Sequence, residues 1–248
     1  MRKNILITGA SSGLGRGMAR EFARRGCNLA LCARRSELLD ELKAELVAIN
    51  PGIHVATRVL DVMDYDRVFE TFRAFRDELG TLDRVIVNAG IGLGQSVGTG
   101  YFHANRKTAE TNFVAALAQC EAAVEIFRDQ NAGHLVAISS ISAMRGMRGA
   151  MTTYAASKAA LATLAEGIRV DLMRTPIKVT TIYPGYILTA INERIKNAPF
   201  RVDLESGVRA MVAAIESEKA EVCVPRWPWT VVGFLMRTLP LRLVVKMV

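Results

Sequence analysis

The chain has few cysteines, histidines and aromatic residues. Four cysteines occur in 248 residues (Cys27, Cys32, Cys120 and Cys223), and none forms a CxxC pair. That scatter argues against a disulfide frame or a thiolate metal site and favours small, reduced core residues. The three histidines, His54, His103 and His134, show no ligand spacing, so no metal is expected. Aromatic residues are 6% of the chain, and no nucleic-acid motif accompanies the net charge of +8. No nucleic-acid partner is therefore expected. No stretch is apolar and long enough to span a bilayer unambiguously, and Met1–Asn4 runs straight into Ile5-Leu6-Ile7 without a signal-like segment. A cytoplasmic location is the expectation. The positive charge would then serve an acidic partner, a phosphate-rich cofactor or a membrane surface.

Hydrophobic residues are plentiful, at 50%. That suits a single α/β domain over residues 1–248, with a buried parallel sheet under Ala- and Leu-rich helices. Asn4–Thr8 reads as a strand. It leads through Thr8-Gly9-Ala10-Ser11-Ser12-Gly13-Leu14-Gly15 into a helix from about Leu14 to Arg25. A glycine-rich turn between strand and helix is a phosphate cradle. Gly9 allows the tight turn, Gly13 lets the backbone approach a diphosphate, Gly15 lets helix and strand pack closely, and the helix N-terminus faces the negative charge. Asn28–Cys32 reads as the second strand and ends in Ala33-Arg34-Arg35. An acid at that point would bind a ribose 2′-hydroxyl; two arginines suit a 2′-phosphate. NADP(H) is expected over NAD(H), with NAD(H) still possible. The alternative is that both arginines are solvated at a helix entrance capped by Ser36.

Further elements follow in alternation: a helix over Ser36–Asn50, a strand over Ile53–Leu60, a helix over Tyr65–Leu79 capped by Asp64, and a strand over Leu82–Val87. Asp61, at a strand's carboxyl end, would accept from the adenine amino group or simply brace its loop. Asn88-Ala89-Gly90 opens a long glycine-rich loop to Gly100. A helix over Phe102–Asn131 carries Asn112 in its interior, an unfavourable place for asparagine that invites a reason. A strand over Gly133–Ser139 leads to Ser140-Ile141-Ser142. A helix running to about Arg174 then carries Tyr154 and Lys158, and a strand over Ile177–Tyr183 closes at Pro184-Gly185. This alternation predicts a Rossmann-like, doubly wound parallel sheet of about seven strands with helices on both faces. On a helix, Tyr154 and Lys158 share one face, one turn apart. An ammonium beside a phenol favours the phenolate, so the pair could exchange a proton with a carbonyl or alcohol oxygen.

With these motifs in this order, roughly from Lys3 to Thr189, the chain resembles the short-chain dehydrogenase/reductase family. The resemblance implies an oxidoreductase interconverting a carbonyl and a secondary alcohol. Tyr154 would be the general acid for reduction and the base for oxidation. Lys158 would lower the tyrosine pKa and bind the nicotinamide ribose. Ser140 would hydrogen-bond the substrate oxygen, and Asn112 would hold a water behind Lys158. The cofactor would lie along Thr8, Gly9, Ser11, Ser12, Gly13, Leu14, Gly15, Arg34, Arg35, Asp61, Val62, Asn88, Ala89 and Gly90. Its nicotinamide end would meet Tyr154, Lys158, Pro184, Gly185, Ile187 and Thr189. A homodimer or homotetramer is implied too. One departure stands out: the family's serine commonly lies thirteen residues before the tyrosine, whereas Ser140 lies fourteen and Ser142 twelve before Tyr154. Ser140 is preferred, at the expected strand end, with Ser142 the alternative. A binder that senses NADP(H) or scaffolds partners without catalysis is the competing class.

Residues 186–217 are expected to form a substrate lid, with a helix over Asp203–Glu216 and a last strand over Glu221–Val224. From Arg226 to Val248 the chain has four basic residues, no acidic one, and both tryptophans, Trp227 and Trp229. Pro228 and Pro240 should break any helix there. Three roles compete for this apolar, basic tail: closing over a lipophilic substrate (an apolar ketone or alcohol), packing on another subunit, or peripheral membrane contact.

Overall fold

The computed structural model describes residues 2–189 and 199–244. Seven parallel strands form one sheet: β1 Asn4–Thr8, β2 Asn28–Ala33, β3 Val55–Val59, β4 Arg84–Val87, β5 His134–Ile138, β6 Lys178–Pro184 and β7 Glu221–Val224, in the order β3-β2-β1-β4-β5-β6-β7. The order reverses at β1, whose neighbours are β2 and β4. Ligands bind at such a switch point, beyond the carboxyl ends of the strands.

Strand side chains alternate between two cores. Ile5, Ile7, Leu29 and Leu31 pack with α1 (Gly13–Arg24), α2 (Ser36–Ile49) and α7 (Leu204–Glu216). Leu6, Ala30 and Cys32 pack on the opposite face with α3 (Tyr65–Leu79), α5 (Ala115–Gln130) and α6 (Met151–Asp171). With both faces covered, the central strands β1, β2 and β5 read as nearly continuous apolar runs. Cys27, Cys32 and Cys120 lie in these cores as free thiols, and burial pushes the last two up to about 12. Asp64 caps α3 as expected, accepting from Arg67 N at 3.3 Å. Ser36 does not cap α2; it is the first helical residue, and Arg35 holds the cap position.

Three expectations need correction. The predicted helix over Phe102–Asn131 is interrupted: α4 (Phe102–Ala109) and α5 are joined by a π-helical turn at Glu110–Val114, which contains Asn112. The predicted lid over 186–217 shrinks, because α7 lies against α1 in the first core, where a methyl on Gly17 would strike Val208. Residues 190–198 of that lid lie outside the described residues. In the tail, Pro228 does not break the helix. α8 (Arg226–Thr238) has an extended residue at Trp227, so its regular turns begin at Pro228, where a missing N–H costs nothing. Pro240 does divide the tail, separating α8 from α9 (Leu241–Val244). Val245–Val248 lie outside the described residues. Among the described residues, no helix is long and apolar enough to cross a membrane.

A buried polar network ties the amino ends of the central strands. Arg84, 1% exposed, donates from Nε to His134 Nδ1 at 2.8 Å, and His134 Nε2 meets Thr180 Oγ1 at 2.8 Å. Arg84 also pairs with Glu216 and, at 3.5 Å, with Glu218. Burial, helped by the Arg84 guanidinium, lowers the His134 pKa to about 3. Unfolded, this histidine protonates near its ordinary ~6.5. Between those values the unfolded chain binds the extra proton, so stability falls as pH drops through the window, by at most ~1.4 kcal/mol per pH unit. Urea unfolding midpoints should therefore fall between about pH 6.5 and 5, above the range where carboxylates titrate. His134→Gln should flatten that slope; an unchanged slope would show that another group causes it.

Candidate active site

The glycine turn is shaped by its neighbours as much as by its own sequence. Gly9 has φ +64°, and a methyl there would lie 2.9 Å from Ala89 Cα. A methyl on Gly15 would strike the Gly9 carbonyl. Thr8 Oγ1 accepts from the backbone N–H groups of Asn88 and Ala89, at 3.0 and 3.1 Å, while Asn88 Nδ2 donates to Thr8 O at 2.9 Å. The turn after β1 and the end of β4 are thus laced into one unit. Beside it, an Arg35 guanidinium nitrogen donates to Ser11 Oγ at 3.0 Å and Ser12 Oγ at 2.9 Å. Arg34 is exposed nearby. The turn opens α1 with no acidic residue in the first helical turn. Backbone donors, a close-approach cradle and a cation at the end of β2 fit a dinucleotide diphosphate and an adenosine phosphate. Asp61 accepts from Met63 N at 3.1 Å and so braces its own loop; Val62 is buried in the second core.

A cavity of about 270 Å³ runs from this turn into the protein. Its polar wall carries Ser12, Gly13, Asn88, Gly90, Ser140, Tyr154 and Lys158, and Pro184, Gly185, Ile187 and Thr189 line it at the end of β6. Tyr154 and Lys158 share a face of α6, as their spacing predicts. Lys158 is 4% exposed and donates from Nζ to Ile138 O at 2.9 Å; burial lowers its pKa to about 8. Burial raises the Tyr154 phenol above its ordinary value, opposed by a hydrogen bond with Ser140. Desolvation is the larger of these two influences, so the phenol in this structure is not lowered as the Lys158 spacing leads one to expect.

The two serines have separate places. Ser140 stands against Tyr154, while Ser142 is buried behind it and donates from Oγ to Ser140 Oγ at 2.9 Å. Ser142 lines the cavity too, and it holds the hydroxyl that meets the tyrosine. Asn112 is fully buried. Its Oδ1 accepts from Ile91 N at 2.8 Å, and its Nδ2 donates to Ile91 O at 2.9 Å and Ser157 Oγ at 3.2 Å. The amide thus clamps the loop after β4 to α6, close behind Lys158. The π turn lets Asn112 reach both partners, and π turns recur at functional sites for this kind of reason.

The rest of the cavity lining is largely apolar and includes Ile141, Met147, Met151, Phe200, Trp229, Val232 and Met236. Motif spacing does not reveal this lining. The signal present was the tail's pair of tryptophans, whose role the sequence left open.

A family model described as short chain dehydrogenase matches residues 3–199. The chain belongs to the short-chain dehydrogenase family. It is 50% identical over 242 residues to an "Uncharacterized oxidoreductase" of Mycobacterium tuberculosis, covering 98% of this chain and 96% of that one. It is 38% identical over 241 residues to another "Uncharacterized oxidoreductase", from Myxococcus xanthus, covering 96% and 93%. The solved structure of levodione reductase shares the fold, with a TM-score of 0.83 at 24% identity over 92% of this chain and 98% of that one. This short-chain dehydrogenase is an oxidoreductase, and its helix α8, beyond the matched residues, completes the cavity that the family motifs begin. Among the described residues no cluster of three or more His, Cys, Asp or Glu side chains is placed to hold a metal ion.

Proposed function

We propose that this short-chain dehydrogenase uses NADP(H) to interconvert a ketone and a secondary alcohol on an apolar small molecule. The observation that carries this reading is one cavity lined both by Tyr154 and Ser140 and by the apolar side chains Met147, Met151, Phe200, Trp229, Val232 and Met236. NADP(H), when bound, supplies or accepts the hydride. Tyr154 gives a proton to the carbonyl oxygen during reduction, and Ser140, oriented by Ser142, hydrogen-bonds the same oxygen. Lys158 would hold the ribose hydroxyls, and Asn112, which clamps the loop after β4 to α6, would hold a water behind Lys158. A phenol held protonated at neutral pH suits the reducing direction. Arg35, set on Ser11 and Ser12, and exposed Arg34 would receive the 2′-phosphate, and Asp61 would accept from the adenine amino group. The test is carbinol formation from apolar ketones with NADPH. Tight NADPH binding with no carbinol from any of them would favour a non-catalytic sensor or scaffold.

The outer face of the tail fits a peripheral contact with an anionic lipid surface at the cytoplasmic side. Trp227, Phe234 and Leu241 are 77%, 65% and 52% exposed, with Val231 and Leu243 beside them. Arg226, Arg237 and Arg242 share the segment, and Arg237 pairs with Glu221 at 3.8 Å. Apolar residues that enter the interface, flanked by cations, are the composition of an interfacial helix. The homodimer or homotetramer implied by family membership must then leave this face open. Phosphatidylcholine vesicles containing phosphatidylserine should sediment the protein, and Trp227→Ala with Phe234→Ala should abolish this. Equal sedimentation by pure phosphatidylcholine, or none by either, would refute the contact.

A further inference from the structure

All strand pairs are parallel, so the segments that follow β4, β5 and β7 leave the sheet at one end. The cavity lies at that same end. After β7 it carries the apolar outer face of α8. After β4 it carries a second apolar surface: Leu93, Val97, Tyr101 and Phe102 are 51%, 71%, 51% and 73% exposed. Four large side chains turned to solvent within ten residues form a patch of the kind that marks a contact. The loop that bears them is pinned in place. Gln95 N donates to Asn105 Oδ1 on α4 at 2.8 Å, and a methyl on Gly94 would strike the Ala150 carbonyl at the start of α6. Both apolar surfaces border one cavity, since Gly92, next to Leu93, and Trp229, two residues from Trp227, line it together.

Charge at this end is one-sided. Residues 84–109, 130–165 and 222–248 contain no aspartate or glutamate. Arg145 and Arg148, after β5, and Arg226, after β7, form no ion pair among the described residues. Free guanidinium groups among exposed aromatic and aliphatic side chains match the headgroup layer of an anionic bilayer. They do not match a second copy of this chain, because a two-fold axis through this end would set arginine against arginine.

We propose that the loop over residues 91–102 is a second lipid anchor, so that the protein docks on an anionic bilayer through the carboxyl end of its sheet, with this loop and α8 entering the interface together. The inference rests on the lipid contact proposed for α8 and extends it to a surface that borders the active-site cavity.

The test sediments wild-type protein and a Val97→Ser, Phe102→Ser variant with phosphatidylcholine vesicles containing phosphatidylserine. The variant should bind them at least tenfold more weakly, because two large apolar side chains no longer enter the interface, while its NADPH Kd stays within about twofold of wild type. A variant that sediments as wild type does overturns the second anchor and leaves the α8 contact standing. Wild-type protein that fails to sediment sinks the α8 contact, and this inference with it. Should the variant's mass fall in lipid-free solution, the loop belongs to a second copy and the proposal is overturned. A second measurement does not depend on how the serine variant folds. Val97→Trp in a Trp227→Phe background keeps the surface apolar and reports on the loop directly. Compared with Trp227→Phe alone, its emission should shift to the blue on the anionic vesicles and be quenched by lipids brominated on the upper acyl chain. Neither shift nor quenching would overturn the anchor.

Discussion

Replacing Tyr154 by Phe should lower kcat by about 10²–10⁴-fold, the usual worth of a positioned proton donor, while leaving NADPH affinity within about twofold. The ring remains to pack on the cavity wall, so the loss would be chemical and not a collapse of the site. Ser140 and Ser142 keep their mutual hydrogen bond and can still polarise a carbonyl, which sets the residual rate. The direction of the Tyr154 shift adds a second readout. Burial holds this phenol above its ordinary value, so the protonated form needed for reduction persists through neutral pH. Alcohol oxidation needs the phenolate and should rise with pH across the alkaline range, while reduction stays flat until that range is reached. Steady-state rates in both directions over a pH series check this. Oxidation already at its plateau at neutral pH would mean that the bound cofactor reverses the shift.

Replacing Arg34 and Arg35 together by Ala should weaken NADPH binding by about tenfold to a hundredfold and leave NADH binding nearly unchanged. Charge-assisted hydrogen bonds to a phosphate are worth roughly 1.5–3 kcal/mol each before compensation. Arg35 is the better placed of the two, because two serine hydroxyls of the glycine turn already hold its guanidinium. Arg35→Ala alone should account for most of the loss. Fluorescence titration with both cofactors measures it. Equal loss for NADH and NADPH would show that Arg35 supports the turn and does not read the phosphate.

The parts of this molecule that could be read from sequence are those where backbone and side chain obey a local rule. Parallel strands covered on both faces favour apolar runs and β-branched residues, so all seven were visible, with ends displaced by at most two residues. The glycine turn was visible because strand, glycine spacing and helix are contiguous, and Tyr154 and Lys158 because a helix puts residues four apart on one face. What was hidden depends on distant contacts. The π turn at Glu110–Val114 serves Asn112, whose partners Ile91 and Ser157 lie on other elements. The lid expectation ran through Leu204–Glu216 because a helix with one apolar face reads the same whether it covers a substrate or packs on α1. Pro228 looked like a break because proline disrupts helix interiors, yet it occupies a first turn, where that objection vanishes. The Tyr154 shift was expected downward because charge proximity shows in the sequence and burial does not. Trp229 closes a cavity whose polar wall lies far earlier in the chain, and no spacing rule connects them.

The most direct test is to follow deuterium from NADPH labelled at its transferable position, using wild-type protein with a set of apolar ketones. Deuterium should appear on the carbinol carbon, in one stereochemical sense, and Tyr154→Phe should suppress the transfer. Tight NADPH binding with no label in any alcohol would contradict the account and leave the cavity as a cofactor-linked binding site.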